Sequence, residues 1–235
     1  MTDHTLPLDH GLFGRLRRDA GAVWIGYVAH DFVHALGRGN LPQPAFRQFL
    51  VQDYLFLIHF ARAHALAGFK ATHLDDIRAA AKAVSAIVDL EMPLHVAYCA
   101  GWGLTEEHMA SAPEAMETTA YTRFVLERGL AGDLLDLQVA LAPCLVGYGE
   151  SGERLLADPA MRREGNPYEA WIAAYTSDAY RGAVRDAIAM LERLGEARGA
   201  AARYPELLDT FVAATRLETA FWDMGWRAGS GQVGR

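Results

Sequence analysis

From Leu41 to Ala71 the apolar residues return every three or four positions. In LPQPAFRQFLVQDYLFLIHFARAHALAGFKA, Phe46, Phe49, Leu50, Tyr54, Leu57, Ile58 and Ala61 fall at those steps, the period of an α-helix with one side buried. The same period recurs along the chain and restricts it to an all-helical class. HLDDIRAAAKAVSAIVDLEMPLHVAYCAGWGL repeats it and stops at Gly101 and Gly103. PEAMETTAYTRFVLERGLAGD predicts a helix with proline in its first turn that ends near Gly132. NPYEAWIAAYTSDAYRGAVRDAIAMLERLGEA and YPELLDTFVAATRLETAFWDMGWRAG each predict one more. No alternating strand pattern and no Asn-Gly or Asp-Gly hairpin signal occurs. The breaks GRGNLPQP, GLTEEHMASAP and DPAMRREGNP are too short for domain linkers. The expectation is one all-α domain over residues 1–235, with about seven helices.

Charge and cysteine content narrow the function. The chain has 22 basic and 29 acidic residues, a net charge of −7 with no long basic run, so nucleic acid and anionic membrane surfaces are not expected partners. No uninterrupted apolar run approaches the roughly 20 residues of a bilayer span. The N-terminus lacks the basic-then-apolar order of a signal peptide. Two cysteines, Cys99 and Cys144, make no disulfide framework, and the expected compartment is the reducing cytoplasm.

Polar residues on apolar stripes mark candidate chemistry. Asp53 lies between Leu50 and Leu57 on the buried side of its helix, and Glu218 precedes Phe221 and Trp222 by three and four residues. A buried carboxylate is costly without a partner or a function. In QVALAPCLVGYGESGERLL, Pro143 sits inside a helical pattern directly before Cys144, and Tyr148 follows one turn later on the same face. Because Pro143 offers no N–H to the carbonyl of Val139, the helix is expected to open one turn ahead of Cys144 and aim its thiol into a cavity. Tyr121 and Tyr175 are expected on inner helix faces. Taken singly, each of these residues reads as ordinary core or as a structural hydrogen-bonding group; the set of one thiol, two carboxylates and several tyrosines is what points to a site. A metal reading rests on Glu91 and His95, to which His30, His34, His59 and His64 add imidazoles at helical spacings. It fails on spacing: the paired Glu-x-x-His of di-iron bundles does not occur, and EMPLH has four-residue spacing with a proline inside. His30 and His34 are expected to cap or pair near helix ends.

HDFVHALGRGNLPQPAFRQFLVQDYLFLIHFARAHALA, EMPLHVAYCAGWGL, AYTRFVLERGLAGD, ALAPCLVGYGESG, YEAWIAAYTSDAY and LETAFWDMGW, in that order, resemble segments of the TenA-type aminopyrimidine aminohydrolases, also called thiaminase II. The resemblance spans nearly the whole chain, with the first segment matching the family's first two helices. It implies a haem-oxygenase-like helical bundle, a homotetramer and no cofactor or metal. It also implies hydrolysis of 4-amino-5-aminomethyl-2-methylpyrimidine to the hydroxymethyl pyrimidine for thiamin salvage, and cleavage of thiamin. By the same resemblance Cys144 is the nucleophile of the cysteine-containing branch and Glu218 the proton-transfer residue. Asp53 holds the pyrimidine's amino and ring nitrogens, and Tyr121, Tyr148, Tyr175 and Phe221 line the pocket. Some members carry a tyrosine three residues after that aspartate; here Phe56 keeps a stacking face without the hydroxyl.

The residue types suit that chemistry independently. A thiolate is the strongest side-chain nucleophile near neutral pH, a carboxylic acid can protonate a ring nitrogen, and a second carboxyl group can bind an N–C–NH2 edge. Two other readings stay open: an oxidoreductase on the same bundle using a quinone precursor or di-iron, and a non-enzymatic regulator or pyrimidine-binding protein.

Overall fold

The computed structural model describes residues 6–230. In chain order the α-helices are α1 (Gly11–Ala20), α2 (Ala22–Val28), α3 (Asp31–Gly37), α4 (Gln43–Lys70), α5 (Leu74–Ala86), α6 (Met92–Ala100), α7 (Glu106–Ala110), α8 (Met116–Ala131), α9 (Leu134–Ala157), α10 (Glu169–Tyr175), α11 (Asp178–Ala197) and α12 (Tyr204–Gly229). A π-helical segment, Ile87–Glu91, joins α5 to α6. Among the described residues there is no strand.

The helices outnumber the seven expected because short ones carry too few turns to show a period. Gly21, at φ 52, separates α1 from α2, a conformation that costs a side-chain-bearing residue. His30 caps α3 by accepting from the backbone N–H of Phe32. HDFVHALG and the long segment after it form the third and fourth helices of this chain. NPYEAW…GEA is two helices rather than one: the Ser177 side chain accepts from the N–H of Tyr180 and starts α11 afresh. Pro113 lies outside α8, whose N-cap is Ala115.

The chain divides into two compact units. One comprises the residues up to Leu41 with Gln138–Trp222; the other comprises Pro42–Leu137 with the residues from Asp223 onward. The boundaries fall inside α9 and inside α12.

In the first unit α1 packs on α2 and α11, and α10 on α11. Its core is aromatic. The Trp24 and Phe211 rings stack at 5.2 Å, and Phe13 meets both edge-on. Glu150 of α9 is buried there. Arg17 binds it through Nε and Nη2 at 2.7 and 2.8 Å, Trp24 Nε1 donates at 2.8 Å, and Arg154 Nε donates at 2.9 Å. Burial alone would raise the Glu150 pKa; the bonds from Arg17, Trp24 and Arg154 outweigh it and hold the carboxyl below its ordinary range.

In the second unit α4 is the axis, packed by α5, α6, α7 and α8. Its 28 residues span about 42 Å at 1.5 Å per residue. Phe46, Phe49, Leu50, Asp53, Leu57, Phe60, Ala63 and Ala67 form its buried stripe. Gln52, also buried, ties α4 to the start of α8: its Nε2 donates to the Pro113 carbonyl, and its Oε1 accepts from the Ala115 N–H and the Thr118 hydroxyl.

The run Leu74–Ala100 is 27 residues long, with a mean hydropathy of 1.2 over its most apolar window, and is apolar enough by length and composition to cross a bilayer. Asp89 and Glu91 interrupt it, which is why a search for unbroken apolar runs passes over it. Only 17% of that window is buried.

Candidate active site

α9 continues without a break through Pro143. The expected opening of the helix ahead of Cys144 is absent. Tyr27 Oη donates to the Pro143 carbonyl at 3.1 Å. Gly147 is what lets it approach, because a Cβ there would lie 2.1 Å from the Tyr27 ring. Tyr180 Oη donates to the Leu145 carbonyl at 3.1 Å. The carbonyls on either side of Cys144 are thus both held by tyrosine hydroxyls. From Val139 to Gly152 every residue is buried except Cys144 and Leu145, which are half-buried. This stretch of α9 therefore keeps surface at Cys144 and its neighbour.

Tyr148, one turn after Cys144, enters an aromatic cluster drawn from three helices. Its ring centroid is 5.2 Å from Tyr175, 6.0 Å from Trp171 and 5.0 Å from Trp222. Trp171 and Tyr175 lie 4.3 Å apart, and Phe32 stacks on Trp222 at 4.9 Å. Glu218 is 2% exposed on α12, among the buried Ala214, Thr215, Phe221 and Trp222. The first unit therefore holds Cys144, Tyr148, Tyr175, Glu218 and Phe221. Sequence reasoning passed over Trp171, which looks like plain core at its helical spacing.

The second unit holds the other three candidates. Asp53 and Phe56 are buried one turn apart on α4. Phe56 stacks on Tyr121 of α8 at 5.0 Å, with an interplanar angle of 29°, and on Phe60 at 5.4 Å. Asp53 Oδ2 meets His95 Nε2 at 2.6 Å, and His95 Nδ1 meets the Glu91 carbonyl at 2.9 Å. Burial by itself would lower the His95 pKa; the Asp53 hydrogen bond and charge, with Glu91, outweigh it and raise the pKa above the ordinary value. His95 is the residue that the sequence drew toward the wrong partner. Its four-residue spacing from Glu91 suggested a metal pair, whereas the imidazole takes the Glu91 main chain and a carboxylate 42 residues away.

Other titratable groups fall outside these sets. Cys99 is fully buried, and burial pushes its thiol up to about 11, so it holds its proton at neutral pH. Among the described residues no group of three or more His, Cys, Asp or Glu side chains is arranged to hold a metal ion. An open hollow of about 600 Å3 on α8, lined by Arg123, Leu126, Glu127, Leu130 and Ala131, contains none of the candidates.

The sequence profile of the TENA/THI-4/PQQC family matches residues 17–228. An aminopyrimidine aminohydrolase from Halalkalibacterium halodurans is 35% identical over 213 residues, which are 90% of this chain and 93% of that one. A crystal structure from a Silicibacter species, described as a TenA family transcription regulator, is 43% identical and superposes with a TM-score of 0.86 over 93% of this chain and 98% of that one. A Shewanella denitrificans domain with a haem oxygenase-like fold superposes with a TM-score of 0.70 at 15% identity, covering 94% and 95% of the two chains; that likeness concerns fold alone. The fold is all-α and haem-oxygenase-like, and the chain belongs to the TENA/THI-4/PQQC family.

Proposed function

We propose that this protein is an aminopyrimidine aminohydrolase of thiamin salvage that uses Cys144 as its nucleophile. The observation that carries the reading is Cys144: it is half-buried where, from Val139 to Gly152, only its neighbour Leu145 shares that exposure, and it lies one turn from a wall of flat aromatic rings. The 35% identity to a named aminohydrolase over most of both chains supports it.

The substrate is 4-amino-5-aminomethyl-2-methylpyrimidine. The Cys144 thiolate adds to an electron-poor ring carbon, and a ring nitrogen takes a proton from Glu218 as charge develops. The ring electrons then expel ammonia from the aminomethyl carbon. The amine leaves in its protonated form; water takes its place and gives up one proton in return, the ring releases the thiolate, and the ring proton returns to Glu218. The sum is substrate plus water giving hydroxymethyl pyrimidine plus ammonia. Thiamin, with its thiazolium as the leaving group, is a second substrate of the same chemistry. Asp53 binds the amino edge of the ring, while Phe56, Tyr121, Tyr148, Tyr175 and Phe221 supply flat or hydroxyl-bearing walls. The reading needs no cofactor and places the enzyme in the cytoplasm.

The Silicibacter relative's description favours a regulator as the second reading. A chain of net charge −7 is poorly suited to DNA, and a binder has no need of an accessible thiol. Ammonia release from a panel of aminopyrimidines separates the two. Turnover that disappears in Cys144→Ser supports the enzyme; ring binding without turnover by the wild type sinks it.

A homo-oligomer, a tetramer by family resemblance, is part of the proposal. The second unit exposes Phe69, Leu74, Val88, Leu90, Met116 and Leu130, with Phe69 at 86% and Leu90 at 72%. Exposed apolar surface on this scale marks an association face.

A further inference from the structure

We infer that His95 is the positioning residue for Asp53: it turns the carboxylate and keeps it an acceptor, so that the remaining oxygen selects a ring bearing an amino group over a ring bearing an oxo group. The inference rests on the reading of Asp53 as the group that binds the pyrimidine.

The hydrogen-bond logic is closed at three of four positions. The Glu91 carbonyl has no proton to give, so His95 Nδ1 must carry one to bond it at 2.9 Å. His95 Nε2 faces Asp53 Oδ2 at 2.6 Å, the length of a charge-assisted bond. Both groups are almost wholly out of water, at 1% and 4% exposure. One proton is shared across that contact. Whichever of Nε2 and Oδ2 carries that proton, Asp53 Oδ1 carries none. Asp53 Oδ1 is the fourth position. Among the described residues it receives no hydrogen bond. A carboxyl oxygen without a proton has acceptor sites only, so Oδ1 can take a donor and nothing else.

A 4-aminopyrimidine offers such a donor through its exocyclic N–H. The corresponding pyrimidinone offers an oxygen there, and two acceptors face each other across a dry contact. Sites built around a hydrogen bond reject analogues that lack it far more strongly than apolar pockets reject a changed methylene. The His95 ring also fixes the orientation. Its Nδ1 is locked to the main chain at the end of the π-helical segment, and its Nε2 holds Oδ2, so Oδ1 has one direction left. Gln52, adjacent in sequence, is tied to Pro113, Ala115 and Thr118 at the start of α8.

The test measures ammonia release from 4-amino-5-aminomethyl-2-methylpyrimidine, with the 4-oxo analogue as competitor, for wild type, His95→Leu, His95→Gln, Asp53→Asn and the double variants. His95→Leu should raise KM roughly 10- to 100-fold, the scale of one hydrogen bond to a charged group, leave kcat within about threefold, and shrink the preference for amino over oxo. His95→Gln, which keeps an N–H near the Nε2 position, should recover most of the KM and the preference. Adding either His95 change to Asp53→Asn should alter KM by less than about threefold, because the route through the carboxylate is already lost. Additive effects in the double variants, or equal effects of Gln and Leu at His95, would overturn the proposal. If His95→Leu does not fold, His95→Gln with and without Asp53→Asn still decides it. Asp53→Asn carries its own outcome: a carboxamide both donates and accepts, so binding of the oxo ring should improve relative to the amino ring, and an unchanged ratio counts against the acceptor argument. If the wild type releases no ammonia, the activity reading fails by itself. Equilibrium binding of the two rings then decides this one, since wild type binding both equally refutes it and wild type preferring the amino ring through His95 supports it.

Discussion

Glu150 in the first unit and Asp53 in the second are both carboxylates taken almost entirely out of water, and their surroundings differ. Glu150 is met by two arginines and an indole N–H, with donors on both oxygens. Asp53 has one imidazole on one oxygen. The fully surrounded carboxylate joins three helices and leaves nothing for a ligand. The other is held firmly on one side and can still take a donor on its second side. Buried charge alone therefore does not mark a binding group; the number of its hydrogen-bonding positions already filled is the better sign.

The largest test of this contrast lies at the thiol. Cys144→Ser should abolish turnover while pyrimidine binding stays within a few-fold, because binding is assigned to the Asp53 side and chemistry to Cys144. Retention of more than about a tenth of the wild-type rate would remove covalent catalysis from the account. Next, Glu218→Gln should lower kcat by roughly 10²–10⁴-fold, the range for a general acid, with KM nearly unchanged. A Glu218→Gln enzyme that melts early but turns over normally would reclassify Glu218 with Glu150 as a helix tie.

Glu150→Gln should do the opposite. Removing one charge of a buried set costs about 3 kcal/mol, or roughly 6–12 °C in melting temperature for a chain this long, with kcat and KM of the folded enzyme unchanged. A smaller separation comes from pH. The Glu150 pKa is depressed, so its contribution is present above the ordinary 4.5 and is lost as pH falls through the lower folded value. The His95 pKa is raised, so its contribution is complete below 6.5 and is lost as pH rises through the higher folded value. Melting curves across pH should flatten on the acid side in Glu150→Gln and on the alkaline side in His95→Gln; flattening on the same side in both would break the distinction. Smallest of all, Cys99→Ser should leave activity within about twofold, since that thiol is buried and stays protonated.

Much of the fold was legible because a helix with one buried side repeats its signal over many turns, as α4, α8, α9, α11 and α12 do. Helices of five to seven residues, such as α3, α7 and α10, repeat it only once or twice and were missed or merged. Pro143 was readable as a defect and misread in its consequence. A proline costs a helix roughly 3 kcal/mol, but burial of Val139, Ala140, Leu141 and Val146 on either side offsets that cost, and α9 runs on as helix. Asp53 and Glu218 stood out because a carboxylate on an apolar stripe is visible within four residues of sequence, and both are buried. The pairing of His95 with Asp53 did not, because the two are 42 residues apart and no local pattern encodes it.

The π-helical segment before His95 has a consequence in terms of insertion and deletion. A π-turn is an α-helix with one residue too many, and the segment Ile87–Glu91 falls where Pro93 already removes a donor from the ladder. Deleting any one residue of that segment would let the ladder close as ordinary α-helix. Every side chain after it would then be turned by about 100° relative to α5, and His95 would leave the line to Asp53. Substitutions there alter one side chain at a time, whereas the loss of a single codon would re-aim the whole of α6. In this stretch the reading frame of the helix, more than the identity of its residues, decides whether the imidazole meets the carboxylate.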